Sequence, residues 1–265
     1  MKQISSALWR YHDICGCTSY LVVGENKAVM VDCSMMSGLI MPMIRKITQL
    51  PVELLLTHAH PDHYGAAAEF EKIWMHEKDI AALDEMEPVF AGMGVKPLPR
   101  AQLHAFSDGH VFDLGGRQLI AVELTGHTPG STVFVDEMEK AIFSGDAVGS
   151  GDIVLMAVPK AFTLSAYRQS LSAFLKESEL WADYVWLAGH WHQADRGEGQ
   201  ERNDPCRALI EDMISLCDAI LSGKIAGENV TEAFAPGGIA HRAYLGRAGI
   251  VYCDQIGRAS CRERV

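Results

Sequence analysis

The chain has no apolar run approaching the roughly 20 residues of a membrane-spanning helix. Its start, residues 1–9, has neither the basic opening nor the apolar core of a secretory signal. A basic excess is also missing. Lys and Arg number 23 against 34 Asp and Glu, a formal net charge of −11, which excludes a general nucleic-acid binder because that needs a basic footprint. Cysteine occurs seven times, an odd number without a framework spacing, and fits a reducing cytosol better than a disulfide-built secreted domain. Cys15 and Cys17, two apart, are expected as core thiols on one strand face rather than as a redox pair. No linker, low-complexity tract or repeat period interrupts the sequence. The expectation is a cytoplasmic protein without nucleic-acid or membrane partners, its oligomeric state left open.

What is present is apolar mass. At 265 residues, 48% of them hydrophobic, the chain can bury a substantial core, and residues 1–255 are expected to form a single domain. Residues 256–265 switch abruptly to Arg-rich polar sequence that includes Cys261. They look like a translated sequencing-adapter oligonucleotide and are excluded from the fold reasoning.

Hydrophobic patterning sets the element order. Residues 19–23 and 28–32 read as a hairpin about the turn Gly24-Glu25-Asn26-Lys27. Leu39, Ile40, Met43, Ile44 and Ile47 recur at helical spacing over 38–49. A short aliphatic strand through Val52, Leu54, Leu55 and Leu56 follows. Next come a helix over 66–73, a strand at 74–76 and an acidic helix over 77–86. The Pro-, Gly- and Met-rich stretch 88–99 predicts a lid or substrate-contacting loop. Strands at 104–106, 111–113 and 118–124 are followed by a hairpin of 132–136 with 140–143. A helix over 165–177, a strand over 184–188, an amphipathic helix over 206–224 and a small terminal segment at 230–253 complete the chain. Strands then helix, twice over, predict two packed sheets with helices outside rather than one parallel sheet.

The chemistry concentrates at strand ends. Thr57-His58-Ala59-His60-Pro61-Asp62-His63 follows the aliphatic strand directly. One histidine in a loop is most often a surface residue. Three packed beside a carboxylate repel one another when protonated and call for a shared cation. Later strand ends repeat the device with Gly126-His127, Gly145-Asp146 and Gly189-His190, each glycine letting the backbone approach closely. Together these make seven candidate ligands, enough for two adjacent ions with an open position. Asp32, ending its own strand, is read as structural, holding the adjoining turn, in preference to supporting the histidine loop. His76 is read as an ordinary polar residue.

The sequence His-x-His-x-Asp-His, followed in order by single His, Asp and His at strand ends, resembles the metallo-β-lactamase superfamily over about residues 18–195, and its glyoxalase II-like branch in particular. The resemblance implies an α/β fold, an αββα sandwich of two mixed β-sheets flanked by helices, with metals at one edge. It implies that His58, His60 and His127 hold one ion, that Asp62, His63 and His190 hold a second, and that Asp146 bridges them. Two divalent metal ions are then expected, zinc by preference, with iron or manganese compatible with the same ligands. The implied reaction is hydrolysis of an ester, thioester or lactone in a small molecule by a metal-bridging hydroxide. Asp62 would be the catalytic residue that orients it and passes a proton to the leaving group.

Branch-specific positions narrow this further. His60 stands where the redox di-iron branch carries Glu, which favours hydrolysis. Acyl-homoserine lactonases place Tyr three residues after the bridging Asp, where this chain has Gly149. The glyoxalase-like branch holds glutathione on a helical C-terminal extension, for which no basic residues stand out here. Two alternatives share the fold: a persulfide-type dioxygenase with one iron on His58, His60 and His127, and a phosphodiesterase with two metals. His192 either faces substrate or caps its loop, and Trp191 is a candidate pocket wall. Ser150, Lys160 and Tyr167 are read as ordinary surface or helix residues rather than substrate contacts. The loops at 87–103, 147–163 and 191–205 are expected to decide the substrate.

Overall fold

A computed structural model describes residues 1–149, 153–190 and 207–253. Ser150, Trp191, His192 and the loop at 191–205 fall outside the described residues. Among those described, the first sheet has seven strands in chain order: β1 (Lys2–Gln3), β2 (Leu8–His12), β3 (Thr18–Val23), β4 (Ala28–Val31), β5 (Val52–Leu55), β6 (Ile73–His76) and β7 (Leu103–Phe106). Pairing is antiparallel as far as β4 and parallel from there onwards. Strands β8 (Val111–Asp113), β9 (Gln118–Glu123), β10 (Thr132–Asp136) and β11 (Ala141–Gly145) belong to the second sheet. A short β12 (Val154–Leu155) leaves that sheet, which closes with β13 (Val185–Ala188) parallel to β11.

Strand alternation explains why the two sheets pack face to face. Tyr20 and Val22 of β3, Val29 and Val31 of β4, and Phe134 of β10 point between the sheets and meet Phe106, Phe112 and Phe143. Their neighbours Leu21, Met30, Val133 and Val135 point outward, as a period of two requires. Both outer faces are therefore apolar and need cover. The helices α1 (Ile40–Ile44) and α3 (Glu77–Phe90) cover the first sheet through Ile40, Ile44, Leu83, Met86 and Phe90. The second is covered by α4 (Leu164–Glu177) and α5 (Arg207–Leu221) through Leu171, Phe174, Ile210 and Met213. This is the expected αββα sandwich.

Four details depart from the sequence expectations. The helix expected over 38–49 is α1 alone, its last turn closed by Ile47 and Thr48 N–H groups on the Ile44 carbonyl. The helix expected over 66–73 shrinks to a single 3-10 turn at Ala67–Glu69. A single turn, α2 (Pro61–Tyr64), forms inside the histidine motif with Pro61 at its first position, and Ala66, Ala67 and Phe70 are drawn into the core. The expected loop after 87 begins as helix, because Pro88 sits in the last turns of α3 and is carried there. The terminal segment forms a third sheet in which β14 (Glu228–Thr231), β15 (Ile239–Leu245) and β16 (Ala248–Tyr252) join β12. Cys15 also differs from expectation: it is exposed, in the turn before β3, and only Cys17 is buried.

Candidate metal centre

All seven candidate ligands lie where strands end at one edge of the sandwich. Parallel β4 and β5 are level, with Val31 opposite Leu55, so Asp32 stands beside the histidine motif. Parallel β11 and β13 bring Gly145 opposite Ala188, which delivers Asp146 and His190 together. The Thr132 N–H donates to the Thr57 carbonyl at 2.9 Å and ties the two sheet edges to each other. Gly145, at φ +49°, is pressed so close to Thr57 that a Cβ would lie 2.3 Å from its Oγ1. Only glycine permits that approach.

The result is two clusters. Ligand atoms of His58, His60 and His127 lie within 4.8 Å of one another, and so do those of Asp62, His63, Asp146 and His190. Asp146 lies between them, its Oδ2 being 3.8 Å from His127 Nε2 and 3.3 Å from His190 Nε2. Five of these seven side chains are buried, while His190 is 12% and Asp62 25% exposed.

Hydrogen bonds orient the imidazoles. The Leu155 carbonyl 2.8 Å from His127 Nδ1 can only accept, so Nδ1 carries the hydrogen and Nε2 keeps its lone pair. Thr57 Oγ1 donates to Asp32 Oδ2 at 2.8 Å and accepts from His58 Nδ1 at 3.0 Å. Asp32 Oδ2 also accepts from His63 Nδ1 at 2.8 Å, and Oδ1 accepts from the Thr57 N–H. Asp32 therefore supports the histidine loop, where the sequence expectation prefers the other role, holding the adjoining turn. A carboxylate behind a ligating histidine fixes its tautomer and raises its basicity.

The electrostatics divide in the same way. Burial, followed by the neighbouring imidazoles, pushes His58 and His60 well below the usual histidine range, and burial also lowers His127. Burial would likewise lower His63 and His190, but the Asp146 and Asp62 carboxylates outweigh it and raise both. Asp146 is held well below the carboxylate range because His190 and His63 overcome the cost of its burial. Among the described residues the buried Nε2 atoms of His58 and His60 have no hydrogen-bond partner, a costly state that a cation relieves. Neutral imidazole beside carboxylate is the donor set that zinc, iron and manganese accept. The residues fit a metal site.

The comparisons with known proteins bear on the same edge of the fold. A family model described as the metallo-beta-lactamase superfamily matches residues 12–190, more than half of the chain. The chain belongs to the metallo-beta-lactamase superfamily. Among curated relatives, acyl-coenzyme A thioesterase MBLAC2 of Gallus gallus is 32% identical over 122 residues, covering 39% of this chain and 44% of that protein. The chain thus spans under half the length of that relative. Hydroxyacylglutathione hydrolase GloC of Haemophilus influenzae is 29% identical over 177 residues, covering 62% of this chain and 80% of that protein. Among solved structures, a beta-lactamase domain protein from Burkholderia ambifaria superposes with a TM-score of 0.61 at 22% identity, covering 83% of this chain and 74% of that one.

In this metallo-beta-lactamase fold several residues near the centre escaped the sequence reading. Asp79, fully buried in the first turn of α3, accepts from the Ala59 N–H at 2.9 Å, Thr128 Oγ1 at 2.8 Å and the Gly130 N–H at 2.6 Å. It staples the His58–His60 loop to the His127 loop. Phe90 and Phe234 wall the cavity, and Phe234 comes from beyond the span the family model matches. Cys17 contacts Asp62 Oδ2 through its thiol at 3.6 Å. His76 is buried, caps α3 and meets Glu123 at 2.9 Å. Tyr167 is buried and donates to the Ala147 carbonyl at 2.8 Å, so it braces the chain beside Asp146 without touching the cavity. Lys160 pairs with Glu85 on α3 at 2.5 Å.

Proposed function

We propose that this chain hydrolyses a thioester of a small molecule, using two divalent metal ions, zinc by preference. His58, His60 and His127 would hold one ion and Asp62, His63 and His190 the other, with Asp146 shared. The observation that carries this reading is the position of Asp146 between two clusters of ligand atoms, each within 4.8 Å. A one-iron centre on the three histidines would leave the second cluster without a task. Two such ions would supply a Lewis acid for the carbonyl oxygen and a water whose pKa falls to about 7.

The chain's own residues supply the remaining needs. Asp32 and Thr57 hold the rings of His63 and His58 in the tautomer that offers Nε2 inward. Asp62, the candidate ligand most open to solvent, borders the cavity and is placed to hold a proton and release it to the departing thiolate. Phe90, Met93, Leu155, Val158 and Phe234 line the same cavity of about 220 Å³ and keep bulk water from the carbonyl. A thioester is preferred over an ester or lactone because the relatives named above are a thioesterase and a hydroxyacylglutathione hydrolase. A reducing cytoplasm is the proposed compartment, since Cys15, Cys17, Cys33, Cys217 and Cys253 are all free thiols. No helix among the described residues is long and apolar enough to cross a membrane.

Elemental analysis combined with a thioester, ester, lactone and phosphodiester panel tests the reading. About two zinc ions per chain with thioester turnover is the expected result. About one iron per chain with oxygen uptake on a thiol substrate would overturn it, as would cleavage confined to phosphodiesters.

A further inference from the structure

We infer that an apolar hollow beside the metal centre seats the acyl chain of the substrate and selects an uncharged alkyl group. This rests on the thioesterase reading above and names the acyl class within it. Two cavities meet at Pro61 and Phe90, which border both. The smaller, about 220 Å³, is the one that opens on His60, Asp62, His127 and Asp146. The larger, about 520 Å³, is walled by Tyr64, Pro88, Ala91, Val95 and Pro97. The Phe90 ring lies edge-on between His60, at 5.1 Å, and Phe234, at 4.9 Å, and so forms the partition. Past Phe90 and Pro61, a carbonyl seated among the candidate ligands has an apolar route for its tail.

Charge decides what that tail is. The carboxylates lining the larger hollow are Asp84 and Glu87, and no cation lines it among the described residues. Arg100 is engaged by both carboxylates, at 2.7 Å from Glu87 and 3.2 Å from Asp84, and Glu87 also accepts from the Leu98 N–H at 2.9 Å. A carboxylated or phosphorylated tail would meet two carboxylates and no cation among the described lining residues. A plain alkyl chain meets Pro, Phe, Val and Ala side chains and gains by leaving water. The polar thiol half of the thioester then leaves by the open side of the smaller cavity.

The test compares kcat/KM for acetyl, hexanoyl, decanoyl and terminally carboxylated decanoyl thioesters of a small neutral thiol. It uses the metal-loaded protein and its Ala91→Trp variant, with calorimetric titration of octanol, which has no bond to hydrolyse. Ala91 is exposed and borders only the larger hollow, so a Trp there fills it from outside. Expected is a rise of up to about fourfold per buried methylene from acetyl to decanoyl. A fall of at least about tenfold with the terminal carboxylate and loss of the chain-length rise in Ala91→Trp are also expected. Octanol should bind the parent protein and not the variant. Acetyl turnover with a flat chain-length profile, or a rise that survives Ala91→Trp, overturns the acyl seat and leaves the hydrolase reading standing. No turnover of any thioester, with octanol binding still abolished by Ala91→Trp, overturns the hydrolase reading and leaves the alkyl site.

Discussion

The Asp79 carboxylate reaches from the first turn of α3 to the Ala59 N–H at 2.9 Å, gripping the peptide between His58 and His60. Burial lifts this acid to about 6, even though hydrogen bonds from Thr128, Gly130 and Ala59 pull the other way. A carboxyl whose folded pKa is raised favours the folded state when protonated, so its contribution to stability falls as pH rises through about 4 to 6. The Asp79→Asn variant does not titrate there. Its stability relative to the parent should improve by up to about 3 kcal/mol between about pH 4 and pH 7. Urea unfolding of both metal-free proteins over that range checks it, and a pH-independent difference would refute the raised acid.

Asp32 makes a different kind of prediction. Its Oδ2 fixes His63 through Nδ1 at 2.8 Å and receives the Thr57 hydroxyl that orients His58. Asp32→Asn removes the charge and offers an amide N–H toward a donor. Metal affinity should drop by about 10–100-fold while the fold persists, read by chelator competition alongside circular dichroism.

Loading the metal-free protein should release protons. Burial opposes the charge on His63 and His190, yet the Asp146 and Asp62 carboxylates keep both raised, so each holds its proton to higher pH than a free imidazole. Their pairing stabilises the metal-free fold below about pH 6.5, and that stability is lost as pH rises through the raised values. A cation replaces those protons, so zinc affinity should climb with pH and titration at neutral pH should liberate about one to two protons per chain. An indicator dye in weak buffer measures this, and zinc uptake without acidification would contradict it.

His58→Ala and Asp146→Ala each delete a proposed ligand, the second at the point the two clusters share. Both should lose bound metal and reduce turnover to background. A variant that kept its full metal complement and activity would overturn the ligand assignment.

Backbone and packing beside the ligands should be equally exacting. Gly126 precedes His127 at φ +145°, and a Cβ there would lie 2.1 Å from the Tyr167 ring. Gly126→Ala should cost more than about 3 kcal/mol through strain and clash together. Tyr167→Phe keeps the ring but strands the Ala147 carbonyl, for about 1–3 kcal/mol. Urea midpoints rank the two.

Much of the fold was legible because period and punctuation agree. Strands β3, β4, β5, β9, β10 and β13 are short aliphatic runs closed by turn residues, and their positions were readable to within a residue or two. The region after His63 was not. Its alanines carry helical propensity, but Ala66 and Ala67 are packed against Phe70 in the core, so tertiary contact overrides the local preference. The third sheet also escaped, since β12 has only two residues and finds its partner β16 across a long sequence separation.

The candidate ligands were visible because metal chemistry draws on few residue types and the αββα fold places them at strand ends. His58, His60, Asp62, His63, His127, Asp146 and His190 could all be named from order and spacing alone. Their neighbours could not. Asp79 sits among acidic helix residues that look solvated, and only packing shows it buried under two loops. Phe90 and Phe234 are ordinary apolar residues in sequence, 144 positions apart, and become one wall only when α3 and the C-terminal segment meet. Residue type and periodicity are local properties, so the order of elements and the candidate donors could be read along the chain. The tautomers of His58, His63 and His127, the acid that staples the loops and the room for an acyl chain come from the packing of distant segments. Each of those depends on distances between segments that no local pattern encodes.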